Sequence, residues 1–237
     1  MDNTQQKGVN MFILHNPREF SFTSVSPKIV KVARKLHVLD LFCGAGGVSM
    51  GLYEAAHGLV NITGIDIDRQ PDYPFNFIQE NVYKISPQYL KGFDFIWASP
   101  PCQRYSFATR KARRALHPDS IPPTKRLLRH ATVPWVIENV RDAPIRKDLM
   151  LCGSFFGLGV IRHRYFEIDG FKIPKFKAKC KHPEKFFTVA GGGTGTVKEW
   201  QNAMGIFHTK NRKSLRESIP PAYSRFIFSY YLEMLLS

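Results

Sequence analysis

One cysteine stands in a setting that suits nucleophilic chemistry. Cys102 follows Ser99-Pro100-Pro101, and Gln103 and Arg104 come directly after it. Because proline cannot continue a central strand, the thiol is predicted to emerge where a strand of a sheet ends. A neighbouring cation stabilises a thiolate, so we expect Arg104 to lower the pKa of Cys102. A small buried core cysteine is the alternative interpretation, but a Pro-Pro-Cys-Gln turn is not typical of a core.

Charged side chains on two later segments could complete such a site. Glu138 ends an apolar run, and a buried glutamate with a raised pKa can hold and donate a proton near neutral pH. Arg162 and Arg164 are two residues apart on an extended segment, so both point to one face. One arginine could position Glu138 and the other a substrate oxygen.

A glycine-rich turn offers a place for a small ligand. Residues 40–47, Asp-Leu-Phe-Cys-Gly-Ala-Gly-Gly, join an apolar run to a helical pattern, and glycines let backbone N–H groups approach a ligand closely. The turn lacks the Gly-Lys-Ser/Thr of a phosphate-binding loop. It also does not fit the G-x-G-x-x-G fingerprint of dinucleotide-binding folds, because Ser49 stands where the last glycine would be. Asp66 ends the next apolar run and could bind ribose hydroxyls, or it could simply face solvent.

The elements that must position these residues follow from the apolar pattern. Apolar runs predict strands at residues 38–42, 61–65, around 77–78, and at 93–98, 133–137 and 165–168. A helix is predicted after the first strand, and Ile219-Pro220-Pro221 begins a terminal helix. Strands that alternate with helical or loop segments predict an α/β fold, a parallel sheet with helices on both faces.

Composition and charge limit the classes of protein. Hydrophobic residues make up 43% of the 237 residues, which argues against a disordered chain. The formal net charge of +15 favours nucleic acid as a partner over a merely solvated basic surface. No apolar run has the length of a membrane span and the N-terminus lacks a signal-peptide core, so we expect no membrane partner and a cytoplasmic location.

The four cysteines, Cys43, Cys102, Cys152 and Cys180, have no paired spacing, and no disulfide is expected. Cys180-Lys181-His182 resembles half of a zinc site. No second Cys/His pair lies at zinc-site spacing, so the sequence predicts that the chain holds no metal.

Four motifs stand in order along the chain: DLFCGAGG at 40–47, SPPCQ at 99–103, ENV at 138–140 and RHRYFE at 162–167. In order and spacing they resemble motifs I, IV, VI and VIII of the cytosine-5 DNA methyltransferases, over about residues 37–167. This resemblance implies the Rossmann-like sheet of class I S-adenosylmethionine-dependent methyltransferases, with helices on both faces and a small loop-rich recognition module.

Later segments extend the resemblance and also depart from it. Residues 188–191, 199–205 and 219–223 resemble the compact members carried by bacteriophages and prophages. Val160 stands where many members have glutamine, and Ile-Pro-Pro replaces the commoner Gly-Asn-Ser of the last motif. The recognition region is very short, so either the target is small or a flanking loop shares the reading of bases.

The residue pattern, together with the resemblance, predicts three regions. Residues 1–36 form an N-terminal extension. Residues 37–167, completed by 216–237, form the catalytic and cofactor-binding domain. Residues 168–215, rich in lysine and glycine, form a small target-recognition region.

The chemistry implied by the resemblance is methyl transfer to carbon 5 of a flipped cytosine. The Cys102 thiolate adds to carbon 6 while Glu138, helped by Arg164, protonates or hydrogen-bonds ring nitrogen 3. Carbon 5 then takes the methyl group of S-adenosyl-L-methionine, which leaves S-adenosyl-L-homocysteine, and loss of the carbon-5 proton releases the cysteine. Arg162 is the fourth catalytic candidate.

The cofactor pocket is implied by the same motifs. Phe42 and Ile67 would contact the adenine, the Gly44–Gly47 turn the methionine moiety, and Asp66 the ribose. Asn81 stands where the family usually has an aspartate that meets the adenine amino group, and an amide oxygen can accept the same hydrogen bond. The cofactor-binding candidates are Asp40, Phe42, Cys43, Gly44, Ala45, Gly46, Gly47, Asp66, Ile67, Asn81 and Pro100.

The segment after Cys102 resembles the mobile loop that closes over DNA, and its charge suits phosphate contacts. The DNA-binding candidates are Gln103, Arg104, Ser106, Arg110, Lys111, Arg113 and Arg114. We expect a monomer that acts on double-stranded DNA, while a cognate restriction nuclease stays open as a partner. An RNA cytosine methyltransferase of the same fold and a catalytically silent DNA-binding relative are the alternatives.

Overall fold

The computed structural model describes residues 34–175, 179–182 and 184–237, so nearly all of the expected N-terminal extension lies outside it. Its strands are β1 (Leu36–Leu41), β2 (Val60–Asp66), β3 (Asn76–Gln79), β4 (Phe95–Ala98), β5 (Trp135–Asn139), β6 (Leu149–Leu151) and β7 (Arg164–Asp169). Its helices are α1 (Gly47–Ala55), α2 (Pro87–Leu90), α3 (Lys111–Arg114), α4 (Ile121–Leu128), α5 (Val197–Met204), α6 (Arg212–Glu217) and α7 (Pro221–Leu236). Among the described residues, none of the helices has the length and apolarity of a membrane span.

The strands form one sheet with the order β3-β2-β1-β4-β5-β7-β6. The first five strands are parallel, whereas β7 runs antiparallel to both of its neighbours. The expectation of a wholly parallel sheet is therefore wrong at β7. Antiparallel strands need no crossover helix between them, and residues 152–163 join β6 to β7 without one. Strand β6 has three residues, too few to show a period in the sequence.

Helices cover both faces of the sheet because successive strand residues point in opposite directions. Val38 of β1 belongs to the core beneath α1 and α7, whereas its neighbour Leu39 belongs to the core beneath α4. Helices α1 and α7 are in close contact, since a methyl group on Gly51 would lie 2.0 Å from the carbonyl oxygen of Pro221. Helix α7 thus completes the sheet domain from the far end of the chain.

The sheet reverses its direction of growth between β1 and β4, which is where parallel α/β sheets bind ligands at their carboxyl edge. The backbone N–H of Ser99, just past β4, donates to the carbonyl oxygen of Leu41 at the end of β1 (3.1 Å). The loops after these two strands, the glycine turn and the Cys102 turn, consequently lie side by side. A separate small core, built around Val160, Trp200 and Leu215, lies under the last third of the chain.

Candidate active site

The turn that carries Cys102 is fastened to the end of β5. Ala98, the last residue of β4, pairs with Ile137, so the following turn runs beside Glu138 and Asn139. The fully buried Asn139 amide donates to the carbonyl oxygen of Pro100 at 2.8 Å. Sequence reasoning did not single out Asn139 as a site residue. A buried amide directly after the predicted acid was the available signal.

Glu138 and Arg164 form an ion pair between β5 and β7. The Arg164 Nε lies 2.9 Å from the Glu138 Oε1, and both side chains are largely buried. Burial raises the pKa of Glu138 above its ordinary value, although the charges of Arg164 and Arg162 and a hydrogen bond from Ser99 oppose the shift. The arrangement keeps a protonatable acid at the carboxyl edge of the sheet.

The thiol of Cys102 lies within electrostatic reach of the same groups. Burial raises the pKa of Cys102, the charge of Arg164 lowers it, and the charge of Glu138 raises it again. The expectation that Arg104 lowers this pKa is wrong both in the direction of the shift and in the residue that acts on the thiol. Desolvation of the thiolate exceeds the attraction, and the attraction comes from Arg164 and Arg162, while the Arg104 guanidinium donates to the carbonyl oxygen of His117 (3.0 Å).

Arg162 is buried and bonded chiefly to backbone. Its two terminal nitrogens donate to the carbonyl oxygens of Val189 (3.1 Å) and Arg216 (2.7 Å), and its own carbonyl oxygen accepts from the Tyr223 hydroxyl (2.5 Å). Burial, with help from the charge of Arg164, lowers the pKa of Arg162 to about 9. Only its Nε lacks a partner among the described residues. Arg162 therefore joins β7 to the later segments, and its direct part in chemistry stays a prediction.

The glycines of the predicted cofactor turn have different roles. Gly44 has a φ of +49°, and a methyl group built on it would meet nothing within 4 Å, so this residue borders open space. A methyl group on Gly46 would lie 3.0 Å from the Tyr73 ring, and one on Gly47 would lie 2.3 Å from the Ile219 carbonyl oxygen. Gly46 and Gly47 thus allow close packing, while Gly44 is the glycine available to a ligand.

Asp66 is held in place by the backbone. Its Oδ2 accepts from the N–H of Gly44 (2.9 Å) and its Oδ1 from the N–H of Asp68 (3.0 Å). Each carboxylate oxygen keeps a further lone pair, so the expected acceptance of ribose hydroxyls is compatible with these bonds.

Aromatic and polar side chains extend the same edge towards β3. The Phe42 ring is partly buried and its centroid lies 5.8 Å from that of Tyr83, an exposed aromatic residue that sequence reasoning missed. Ile67 is 63% exposed, which leaves it free to cover a ligand. The Asn81 side-chain oxygen already accepts from the Tyr83 N–H (2.9 Å), which uses part of the capacity expected to serve adenine.

Three further cofactor candidates are buried. The Cys43 sulfur lies within 2.8 Å of where a methyl group on Gly64 would stand. The carbonyl oxygen of Ala45 accepts from the His208 Nε2 at 2.7 Å. Pro100 has its carbonyl bonded to Asn139, as above. These three contact the protein itself, so their part in cofactor binding stays a prediction.

Asp40 carries an unsatisfied buried oxygen at the end of β1. Its Oδ2 accepts from the Ser49 hydroxyl at 2.5 Å, whereas its Oδ1 has no partner among the described residues. Burial raises the pKa of Asp40 to about 7. A ligand with a cationic end could satisfy this oxygen, and the open space at Gly44 lies four residues along the same turn. The residues present therefore fit S-adenosylmethionine, which carries an ammonium and a sulfonium group.

Asp40 should make the stability of the free protein fall as pH rises. Because its pKa is about 7 in the fold and about 4 in the unfolded chain, its contribution is fully present below pH 4 and is lost between pH 4 and 7. The loss is on the order of 4 kcal/mol. Asp40→Asn should therefore gain stability relative to wild type between pH 4.5 and 8 in urea unfolding. Asp142→Asn removes an exposed carboxylate and is the control for the loss of a negative charge. Equal pH dependence of stability in Asp40→Asn and wild type would contradict the raised pKa of Asp40.

The predicted DNA loop is only partly free. Gln103, Arg110, Lys111 and Arg113 are exposed. The other candidates make local hydrogen bonds. Arg104 donates to the carbonyl oxygen of His117, and Arg114 donates through its Nε to the carbonyl oxygen of Thr109 (3.2 Å). The Ser106 hydroxyl oxygen accepts from the N–H of Ala108 (3.2 Å).

An aromatic residue on this loop was missed. Phe107 is 67% exposed, and the guanidinium carbons of Arg114 and Arg141 lie 5.2 and 5.3 Å from its ring centre. A flat apolar ring between two cations is suited to stacking on nucleic-acid bases.

A Rossmann-like sheet with a cysteine turn and a buried acid at neighbouring strand ends suits group-transfer chemistry, and the comparisons show which proteins the chain is similar to. Residues 36–143 match the family model described as C-5 cytosine-specific DNA methylase. The type II methyltransferase M.HgiCI of Herpetosiphon aurantiacus is 35% identical over 83 residues, which cover 32% of this chain and only 20% of that relative. The match over residues 36–143, which is just under half of the chain, supports the predicted resemblance to the C-5 cytosine methyltransferases.

A solved structure agrees with the fold. The Dnmt2 methyltransferase of S. pombe aligns with 84% of this chain and 99% of its own, with a TM-score of 0.59 and 15% identity, which shows the fold alone. The predicted class I methyltransferase fold is thus confirmed, with β7 as the antiparallel strand. The likeness to this family, together with the fold, implies S-adenosylmethionine as the methyl donor.

Proposed function

We propose that the chain is a DNA cytosine-5 methyltransferase that works through a covalent adduct on Cys102. One observation carries the proposal: the Glu138–Arg164 pair lies at the end of the strand next to the Cys102 turn, and its charges act on that thiol. A pyrimidine ring needs a nucleophile at one side and an acid at the other, which two adjacent strand ends can supply.

The chain's own groups divide the chemistry between them. The Cys102 sulfur bonds to carbon 6 of cytosine, and Glu138 supplies a proton or hydrogen bond to ring nitrogen 3, so the negative charge does not build up on the ring. Arg164 holds the acid in place at 2.9 Å. Arg162 offers its Nε, which has no partner among the described residues, as a donor for a substrate oxygen.

S-adenosylmethionine supplies an electrophilic methyl group when bound. The residues proposed to hold it are Asp40 and Gly44 at the cationic end and Asp66 at the ribose. Phe42 and Ile67, with Tyr83 beside them, offer apolar surface for adenine. Asn139 acts as a positioning residue, because its bond to Pro100 fixes the Cys102 turn against β5.

Duplex DNA is the proposed substrate, since the loop after Cys102 presents Arg110, Lys111 and Arg113 to solvent at the carboxyl edge of the sheet. Phosphate contacts from such cations orient a duplex without reading its sequence. The description of the matching family names DNA, which supports DNA over RNA. The base must leave the stack to meet Cys102, and Phe107 could stack on a base at the opening.

Replacing these three cations by glutamine should weaken binding of duplex DNA to all sequences alike. Each lost phosphate contact removes about 0.9 from the slope of log affinity against log salt, so the slope should fall by about 2 to 3. Filter binding at several salt concentrations measures it. The matched control replaces Lys35, Lys91 and Arg129, exposed cations before the amino ends of the strands, and an equal effect there would contradict a DNA-binding loop.

The proposed function itself is tested by incubating the full chain with methyl-labelled S-adenosylmethionine and, separately, duplex DNA and tRNA. Label in DNA at carbon 5 of cytosine, mapped by bisulfite sequencing, is the expected result. Label in tRNA alone would transfer the proposal to RNA. No label in either, despite bound cofactor and bound DNA, would indicate a silent relative.

A further inference from the structure

The structure brings together four metal-ligand side chains outside the active site. Cys152, His163, Cys180 and His182 each offer one ligand atom, and these four atoms all lie within 4.8 Å of one another. The sequence-based expectation of no metal rested on the lack of a second Cys/His pair. In three dimensions that pair exists, although its members are eleven residues apart in sequence.

The register of the sheet explains why Cys152 and His163 meet. Strands β6 and β7 are antiparallel, and Leu151 is paired with Arg164. The next step along this ladder brings Cys152 opposite His163, and directly opposed residues point to the same face. Cys180 and His182 are two residues apart on a segment without helix or strand in its described part, so both can turn towards that face.

The separations of the His163 Nε2 from two of the other ligand atoms match the edges of a tetrahedral zinc centre. The His163 Nε2 lies 3.3 Å from the Cys180 sulfur and 3.4 Å from the His182 Nε2. Zinc bonds of about 2.0–2.1 Å to nitrogen and about 2.3 Å to sulfur give tetrahedral edges of about 3.3 Å between nitrogens and about 3.5 Å between nitrogen and sulfur.

Hydrogen bonding alone accounts poorly for this cluster. One ring nitrogen has either a single N–H or a single lone pair, yet the His163 Nε2 is in contact with both a sulfur and a second imidazole nitrogen. A central cation would bind all four atoms at once. The Ser154 hydroxyl also donates to the Cys152 sulfur at 3.3 Å, the kind of outer contact that stabilises a ligating thiolate.

We propose that Cys152, His163, Cys180 and His182 bind one structural zinc ion. Two thiolates and two neutral imidazoles form a closed set, which leaves no position for a substrate and so indicates a structural rather than a catalytic metal. The ion fastens the lysine-rich segment after β7 to the β6–β7 ladder. In the described part of residues 170–196, regular pairing is limited to the single bridge between Val160 and Phe187, so a metal supplies order that a core does not.

The site also adjoins the active site. His163 directly precedes Arg164, whose guanidinium donates to the His163 carbonyl oxygen (2.8 Å) and pairs with Glu138. Zinc bound to His163 would thus fix the backbone from which Arg164 reaches the acid.

The test measures metal on the full chain, independently of methyl transfer. Purified wild type should contain one zinc ion per chain by elemental analysis, and the cobalt-substituted protein should show the visible absorption of a tetrahedral thiolate complex. His182→Ala and Cys180→Ser alter exposed and half-buried ligands, so both should fold, but each should lower zinc affinity more than about tenfold in a chelator competition. His130→Ala, an exposed histidine elsewhere, is the matched control and should keep its zinc.

Chelation gives a second readout. Removing zinc should speed tryptic cleavage in the lysine-rich segment after β7 in wild type. The control variant His130→Ala should respond in the same way. Wild type that folds but takes up neither Zn²⁺ nor Co²⁺ would overturn the proposal. A mass lower by two hydrogens, with Cys152 and Cys180 linked, would overturn it in favour of a disulfide.

Discussion

Cys102→Ala is expected to lose methyl transfer by more than about 10³-fold while it still binds cofactor and DNA. Without the thiol, carbon 6 receives no nucleophile, and binding together with the polar groups of the site gives only residual acceleration. Duplex DNA that contains 5-fluorocytosine gives a direct test. Fluorine replaces the carbon-5 proton whose loss releases the cysteine, so the sulfur–carbon bond persists. Wild type should form a complex that survives denaturation, and Cys102→Ala should form none.

The controls for Cys102 must separate chemistry from folding. Cys102→Ser keeps the size of the side chain, and calorimetry with S-adenosylhomocysteine should show unchanged affinity in both variants. Trapping by Cys102→Ala would assign the nucleophile to another residue. A wild-type chain that binds cofactor and DNA but never becomes trapped would remove the covalent mechanism altogether.

Glu138→Gln should lower the rate of methyl transfer by about 10² to 10⁴-fold, because an amide can hydrogen-bond ring nitrogen 3 but cannot give it a proton. The matched control is Glu167→Gln in β7. Glu167 is also a buried carboxylate in an ion pair, with Lys125 at 2.8 Å, but its side chain points away from the Arg164 face. Loss of stability without loss of activity is expected for that control.

The pH profile of the rate gives an independent check on Glu138. Burial raises its pKa, so the protonated, active form should be retained towards neutral pH and should decline as pH rises through the raised pKa. Burial also raises the pKa of Cys102, so the thiolate increases with pH. These opposite trends predict a bell-shaped profile, from which Glu138→Gln should remove the limb that the acid contributes. A profile unchanged in Glu138→Gln would contradict a proton-donating role.

The order of the motifs made most of the fold predictable. Strand ends at Asp66, Ala98 and Asn139 were recognisable because turn-forming or polar residues stop apolar runs, and parallel strands bring such ends to one edge. The reversed direction of β7 was not predictable, because an apolar strand has the same period in either direction. Strand β6 was not predicted, because its three residues are too few to show an apolar period.

The sequence by itself indicated the candidate residues of the site, because Cys102, Glu138 and Arg164 stand in motifs whose order and spacing resemble those of one family. The tertiary structure decided which partner each side chain has: burial reversed the expected pKa shift of Cys102, and backbone carbonyls took the terminal nitrogens of Arg162. The balance of charges around a side chain and its desolvation depend on distances between strands. The spacing of residues along the sequence does not give these distances. The clustering of Cys152 with His163 likewise follows from the register of β6 against β7.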